Sequence, residues 1–427
     1  MIRVICRKVH TCWQIVCNWY RFKRLCSISS KYHRAELKRL SKSEEPIRSV
    51  FLATFQSTWK YDGVFKRMLS DSRFEPIILV CPIVNSGYDN MIRYMEETYS
   101  FFKNKGYNVI KAYNHDCNTY VDLRNGLKPD ILFYTNPYKG LIDDRYYINQ
   151  YLDKLTIYVS YNYNNGRAFK TFYDLDFHNL VWRHYAETEI HRQYAVENSR
   201  NHGKNVVVTG YPGIEPLLLS NGICNHSNEQ RNRSKIIIWA PHHTLEKTPY
   251  GHTCFLKYCD FMIELAKKYM DDVQVVFKPH PLLKAKLYEY WGKNRTDDYY
   301  GLWESMPNTN INDGDYDELF LSSDAMIHDS GSFAVEYLYV NKPVMRTIYD
   351  VDITDQFNSF GIRCLDQHYW GYNEHDVELF IKNVITGVDP LKEQRTQFVN
   401  DVLMPKGGMP SENIINDIID SIENQRV

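Results

Sequence analysis

Two apolar runs in the second half of the chain stop abruptly at polar, turn-forming residues. VQVVFKPHP (273–281) opens as a β-branched run and ends at Lys-Pro-His-Pro; AMIHDSGSFAVEYLYVNKPVM, from Ala325, opens the same way and ends at Asp-Ser-Gly-Ser before a helical pattern. The prolines flanking His280 bar that residue from a regular helix interior and set a turn at the end of the strand. Short apolar runs of this kind read as buried parallel strands, and open α/β sheets bind ligands beyond the carboxyl ends of such strands. The first run delivers Lys278 and His280 there. The second delivers Asp329, Ser330, Gly331 and Ser332 at the start of a helix, where free backbone N–H groups suit a phosphate.

The remainder of the chain repeats the pattern. Strands are expected at SVFLATF (49–55), EPIILVCP (75–82), YNVIKAY (107–113), DILFYTNPY (130–138), LTIYVSYNY (155–163), NLVWRHYAE (179–187) and KNVVVTGYP (204–212), with a clear helix at 88–104. A polar, Asn/Ser/Arg-rich stretch at 215–234 reads as a linker. A second series follows it: KIIIWAPHH (235–243), the 273–281 segment, TNIND (309–313), AMIHDS (325–330) and KPVMRTIY (342–349). Helices near 374–386, 390–402 and 412–423 close the chain, and one of them is a candidate to cross back to the first domain. Strand alternating with helix in two blocks defines an α/β protein with two Rossmann-like domains. The expected domains are 46–214 and 215–427, in line with a length of 427 residues.

Residues 1–48 hold 12 Lys or Arg against three Glu, within a chain whose formal net charge is −1. Ile2, Val4, Trp13, Trp19 and Leu25 interleave with those basic residues, which predicts a basic amphipathic helical arm over 1–45 that lies on an anionic membrane surface. The near-zero charge gives no global reason to expect nucleic acid as a partner. No apolar run is long enough for a transmembrane helix, and Arg7, Lys8 and Gln14 interrupt any signal-peptide core. The expected location is cytoplasmic, peripheral at the inner face of the cell membrane. Ten cysteines without a CxxC pair read as reduced thiols.

WAPHHT (239–244), KPHP (278–281), and a D-S-G-S turn followed by Glu336 and a K-P-V strand resemble the carboxyl-terminal half of the CDP-glycerol glycerophosphotransferase family, the teichoic-acid polymerases and primases. The resemblance spans roughly 235–349 and implies the GT-B architecture of nucleotide-activated transferases. It implies transfer of glycerol phosphate or another polyol phosphate from a CDP-activated donor to a lipid-linked glycan, with no cofactor. His280, His242 and His243 are the candidate catalytic residues. Lys278, Asp329, Ser330, Gly331, Ser332 and Glu336 are candidates for the donor, Glu336 through a ribose hydroxyl. The family's H-G-T segment in the first domain has no counterpart here; SYNYNNGR (160–167) stands in its place, so Tyr161, Asn162, Asn165 and Arg167 are expected on the acceptor side. His242, His243 and His252 lack the helical spacing or Cys partner of a metal site, and none is expected. Two other readings remain: a GT-B glycosyltransferase using a nucleotide sugar, and a non-catalytic nucleotide- or sugar-binding protein.

Overall fold

The computed structural model describes residues 2–221, 233–246, 253–314, 316–349 and 354–425, with side chains from Tyr20 onward and those of Ser220 and Asn221 excepted. Most of the expected linker and all of His252 lie outside these residues. The chain divides into two compact units. Unit 1 comprises Met1–Asn162, Ala168–Gly213 and Pro405–Val427; unit 2 comprises Tyr163–Arg167 and Ile214–Met404.

Unit 1 carries strands β1 (Ile47–Ala53), β2 (Phe74–Val80), β3 (Val109–Lys111), β6 (Ile131–Tyr134), β7 (Leu155–Val159), β8 (Arg183–Ala186) and β9 (Val206–Val208), with a small antiparallel hairpin of β4 (Tyr113–Asn114) and β5 (Thr119–Tyr120). The seven-stranded sheet runs β3-β2-β1-β6-β7-β8-β9, all parallel. That order reverses direction between β1 and β6, as in a doubly wound fold. Its centre is apolar on both faces: Phe51 of β1 stacks on Phe133 of β6 with centroids 4.1 Å apart.

Unit 2 repeats the plan with β10 (Lys235–Ala240), β11 (Val273–Phe277), β12 (Thr309–Ile311), β13 (Ala325–His328), β14 (Val344–Thr347) and β15 (Tyr369–Gly371), in the order β12-β11-β10-β13-β14-β15, again all parallel. Trp239, Phe277 and Trp303 stack at its heart, with ring centroids 5.0–5.4 Å apart. The strands are shorter than the sequence predicts, because several runs continue past their last ladder bond into loops. β15 was not anticipated; its apolar run is too brief to signal a strand.

Three expectations about boundaries change. The basic arm is one helix, Ile2–Leu40, and its second half packs on unit 1 instead of standing free. Phe22, Leu37 and Leu40 are buried, Ser29 Oγ donates to the Leu180 carbonyl, and Lys154 pairs with Glu36 at 3.6 Å. Arg39 also pairs with Asp130. Next, the closing helix Pro410–Glu423 is the one that crosses back to unit 1, as expected of one of the three, so the second unit ends at Met404 and not at 427. Ile414 and Ile418 are fully buried there, and Asp417 accepts from Arg183 (2.8 Å) and Tyr185 (2.9 Å) at the end of β7's neighbour β8. Last, Tyr163–Arg167 joins unit 2. Asn358 donates its side chain to the Asn164 carbonyl (2.7 Å), and Gly361 lets the Asn165 carbonyl approach where a Cβ would collide with it. The expected linker itself begins as a helix, Glu215–Asn221.

Because the arm is built into the first unit, its anchor residues carry stability. Leu40→Ala is expected to cost about 2–5 kcal/mol, the range for emptying a buried Leu site, read as a lowered urea midpoint. An unchanged midpoint would show that the helix does not pack there in solution.

Candidate active site

The strand order of unit 2 reverses between β10 and β13, so the loops after these strands part and leave a crevice at their carboxyl ends. Pairing extends past the ladder: Lys278 N–H donates to the Trp239 carbonyl (2.8 Å) and His280 N–H to Pro241 (3.1 Å). The loops after β10 and β11 are thereby held side by side. His242, His243 and His280 converge as a result, with ring centroids 4.0–4.9 Å apart.

Asp329 joins β13 to this group. Its carboxylate accepts from His242 N–H (2.5 Å), Thr253 Oγ (2.7 Å) and Cys254 N–H (2.6 Å). Burial pushes its pKa up, opposed by those three bonds and by Arg346. Expected as a donor ligand, Asp329 instead faces inward as a clamp. Lys278 is likewise turned into the protein: the residue is 7% exposed, and its ammonium donates to Asn312 Oδ1 (3.0 Å) and the Gly314 carbonyl (2.7 Å), fastening the loop after β12. The residue types were legible in the sequence; their direction was not.

The Ser330–Ser332 turn follows. Arg346 of β14, unnoticed in the sequence, is buried and donates to the Ser330 carbonyl at 2.9 Å. Asn165 donates to the Gly331 carbonyl at 2.7 Å. Gly331 has room: the nearest atom to a Cβ there is Asn165 Oδ1 at 4.0 Å. The helix after the turn is short, Phe333–Glu336 followed by a 3-10 turn, and Ser332 caps it without a side-chain bond. A four-residue helix adds little dipole, so any phosphate there relies on individual N–H and O–H groups. Glu336 is buried, not on a solvated face.

On the expected acceptor side, Tyr161 stays in unit 1, its hydroxyl 3.0 Å from that of Tyr138, and Asn162 is in the same unit. Arg167 is in unit 2, where it donates to the Phe357 carbonyl (2.8 Å) and pairs with Asp355 (3.3 Å).

The imidazoles are neutral at pH 7. Burial lowers His242 to about 3, helped by His243, His280 and Arg346, and lowers His280 to about 4, helped by His243. His243 is lowered by burial and by Lys286. His280 Nδ1 accepts the Leu282 N–H (3.1 Å), which leaves the proton on Nε2 as a donor. His242 Nδ1 lies 2.7 Å from Thr244 Oγ.

Two Rossmann-like units, with polar loops gathered at a switch point, define the GT-B architecture. The match to the family CDP-glycerol:poly(glycerophosphate) glycerophosphotransferase covers residues 162–419, more than half of the chain. The protein belongs to that family and is a CDP-glycerol glycerophosphotransferase-like enzyme. Among solved structures it is similar to the wall teichoic acid polymerase TagF, as a histidine-to-asparagine variant soaked with CDPG: TM-score 0.56, 15% identity, 96% of this chain and 99% of that one. It is similar also to UDP-GlcNAc 2-epimerase from Neisseria meningitidis bound to UDP-GlcNAc: TM-score 0.55, 14% identity, 87% of this chain and 99% of that one. Staphylococcus aureus MnaA with UDP gives TM-score 0.53 at 16% identity over 89% of this chain and 97% of that one. Identities this low speak for the fold. No curated protein matches the chain.

Acid should destabilise the protein before it ionises the site. His33 and His184 are lowered to about 4 and His191 and His368 to about 3, each chiefly by burial, alongside His242 and His280. Below about pH 6.5 the unfolded chain takes up protons that these folded imidazoles refuse, so stability present above that pH is lost as pH falls toward about 4. Asp329, raised in the fold, runs the other way as a single group. Urea midpoints measured from neutral to mildly acid pH should therefore drop steeply; a flat series would contradict the buried neutral histidines.

Proposed function

We propose that this enzyme transfers glycerol phosphate, or another polyol phosphate, from a CDP-activated donor to a hydroxyl of a membrane-linked glycan. The observation that carries the reading is the convergence of His242, His243 and His280 beside the Ser330–Ser332 turn, at the switch point of a family-matched unit. In this reading the acceptor oxygen attacks the β-phosphorus. The new O–P bond forms as the bond to the bridging oxygen breaks, and CMP leaves with that electron pair. The acceptor's proton passes to His243 at Nε2, since its Nδ1 is buried out of reach of an incoming hydroxyl. His280 donates from Nε2 to a phosphate oxygen, while buried Arg346 supplies positive charge behind the turn and buried Lys278 does so at the end of β11. Glu336 is proposed for the ribose, and Tyr161 and Asn162 for the acceptor. Excess Lys and Arg over 1–48 support attachment of the N-terminal helix to an anionic membrane, at the inner face of the cell membrane. Among the described residues no helix is long and apolar enough to cross a membrane.

Product analysis tests the reaction. Incubation with CDP-glycerol and a glycan acceptor should release CMP and add glycerol phosphate; release of a nucleoside diphosphate from a sugar donor would point to a glycosyltransferase, and binding without turnover to a non-catalytic protein. His280→Ala should cut the rate by about 10²-fold or more with an unchanged circular-dichroism spectrum. Full activity in a folded variant would remove His280 from the chemistry.

The turn makes a separate claim. Since the folded protein leaves room at Gly331, Gly331→Ala should keep its thermal stability yet weaken donor binding, because only a bound phosphate needs that space. Ser332→Ala should weaken donor binding on the order of 10- to 150-fold, the worth of one hydrogen bond to a charged group. Calorimetry showing unaltered affinity in both variants would move the donor off this turn.

A further inference from the structure

The three histidines form more than a polar patch. Each offers a ring nitrogen, and these atoms all lie within 4.8 Å of one another. Two of them come from the loop after β10 and one from the loop after β11, so chain spacing hides the group. Backbone bonds hold it: His280 N–H to Pro241, and His242 N–H to buried Asp329. Thr244 Oγ sits 2.7 Å from His242 Nδ1; with the proton on Nδ1 and donated to that hydroxyl, it is an outer partner of the kind that leaves Nε2 free to bind. The Nδ1 of His243 is buried with no hydrogen-bond partner.

We propose that His242, His243 and His280 bind one divalent transition-metal ion of the zinc class. An all-nitrogen donor set selects Zn²⁺ and its neighbours over Mg²⁺ and Ca²⁺, which take oxygen. Three protein ligands leave a fourth position open to water or an anionic oxygen, as in catalytic rather than structural zinc sites. Zn–N bonds of about 2.0–2.1 Å place ligand nitrogens roughly 3.3 Å apart, so the nitrogens must turn toward one another while the ring centres, now 4.0–4.9 Å apart, spread slightly. His280 gives up its Leu282 bond, or binds through that same Nδ1, a small loss beside three metal–nitrogen bonds. A bound ion would take nitrogens that the proposed transfer assigns to His243 and His280, so it is a competing use of the same side chains, and its test uses no donor and is read apart from turnover.

The test takes the full chain, stripped with a chelator, and titrates it with Zn²⁺ against a fluorescent zinc indicator and with Co²⁺ by visible absorption. One tight site is expected, with the intense bands of four-coordinate Co²⁺ and no thiolate charge-transfer band. His243→Gln and His280→Ala should each weaken Zn²⁺ by on the order of 100-fold or more, at least the loss known for outer partners of such ligands. His375→Ala, at an exposed histidine, should leave it unchanged, and millimolar Mg²⁺ should not compete. Zinc affinity unaffected by His243→Gln and His280→Ala in folded protein, a thiolate band, or displacement by Mg²⁺ would each overturn the site.

Discussion

A single buried carboxylate holds the active region together. Asp329 accepts three hydrogen bonds from two pieces of chain: the His242 backbone in the loop after β10, and the adjacent Thr253 side chain and Cys254 backbone at the start of the helix Phe255–Lys268. An ionised carboxylate taken out of water without partners costs several kcal/mol. These donors, with Arg346 close by, offset that cost only when both segments are in register with β13. The position of His242 is thus tied to the folding of unit 2 as a whole.

Around that clamp, the rigid parts are apolar and the adaptable parts polar. Trp239, Phe277 and Trp303 stack directly beneath the strand ends that carry the histidines. Close packing of this kind leaves the backbone little freedom, so the loops leave the sheet at set points. Above it, Gly331 keeps open space and the following helix is too short to impose a strong field. The chemistry falls to side chains and individual N–H groups.

Neutral imidazoles give this site a different character from one built on arginine or lysine. They donate or accept according to tautomer, and the tautomer at His280 is set by one backbone N–H. Positive charge is present but set back, in Lys278 and Arg346, both buried and both bonded to carbonyl oxygens. A donor diphosphate would meet directional hydrogen bonds first and charge second.

The strand-and-helix alternation, the two-domain plan and the gathering of KPHP with DSGS at strand ends were all legible in the sequence. Each rests on local periodicity or on proline and glycine chemistry, which neighbouring residues determine among themselves. The family resemblance was legible for the same reason, since its motifs sit in continuous stretches. What a side chain faces was not legible: Lys278 and Asp329 turned inward, because buried charges go where partners satisfy them and those partners come from distant segments. Arg346 escaped notice inside an apolar strand, and Tyr163–Arg167 and Pro405–Val427 joined units other than their sequence neighbours. Those choices belong to the tertiary structure, since they depend on which buried face or carbonyl waits at the other end, as with Gly361 for Asn165 and Asp417 for Arg183.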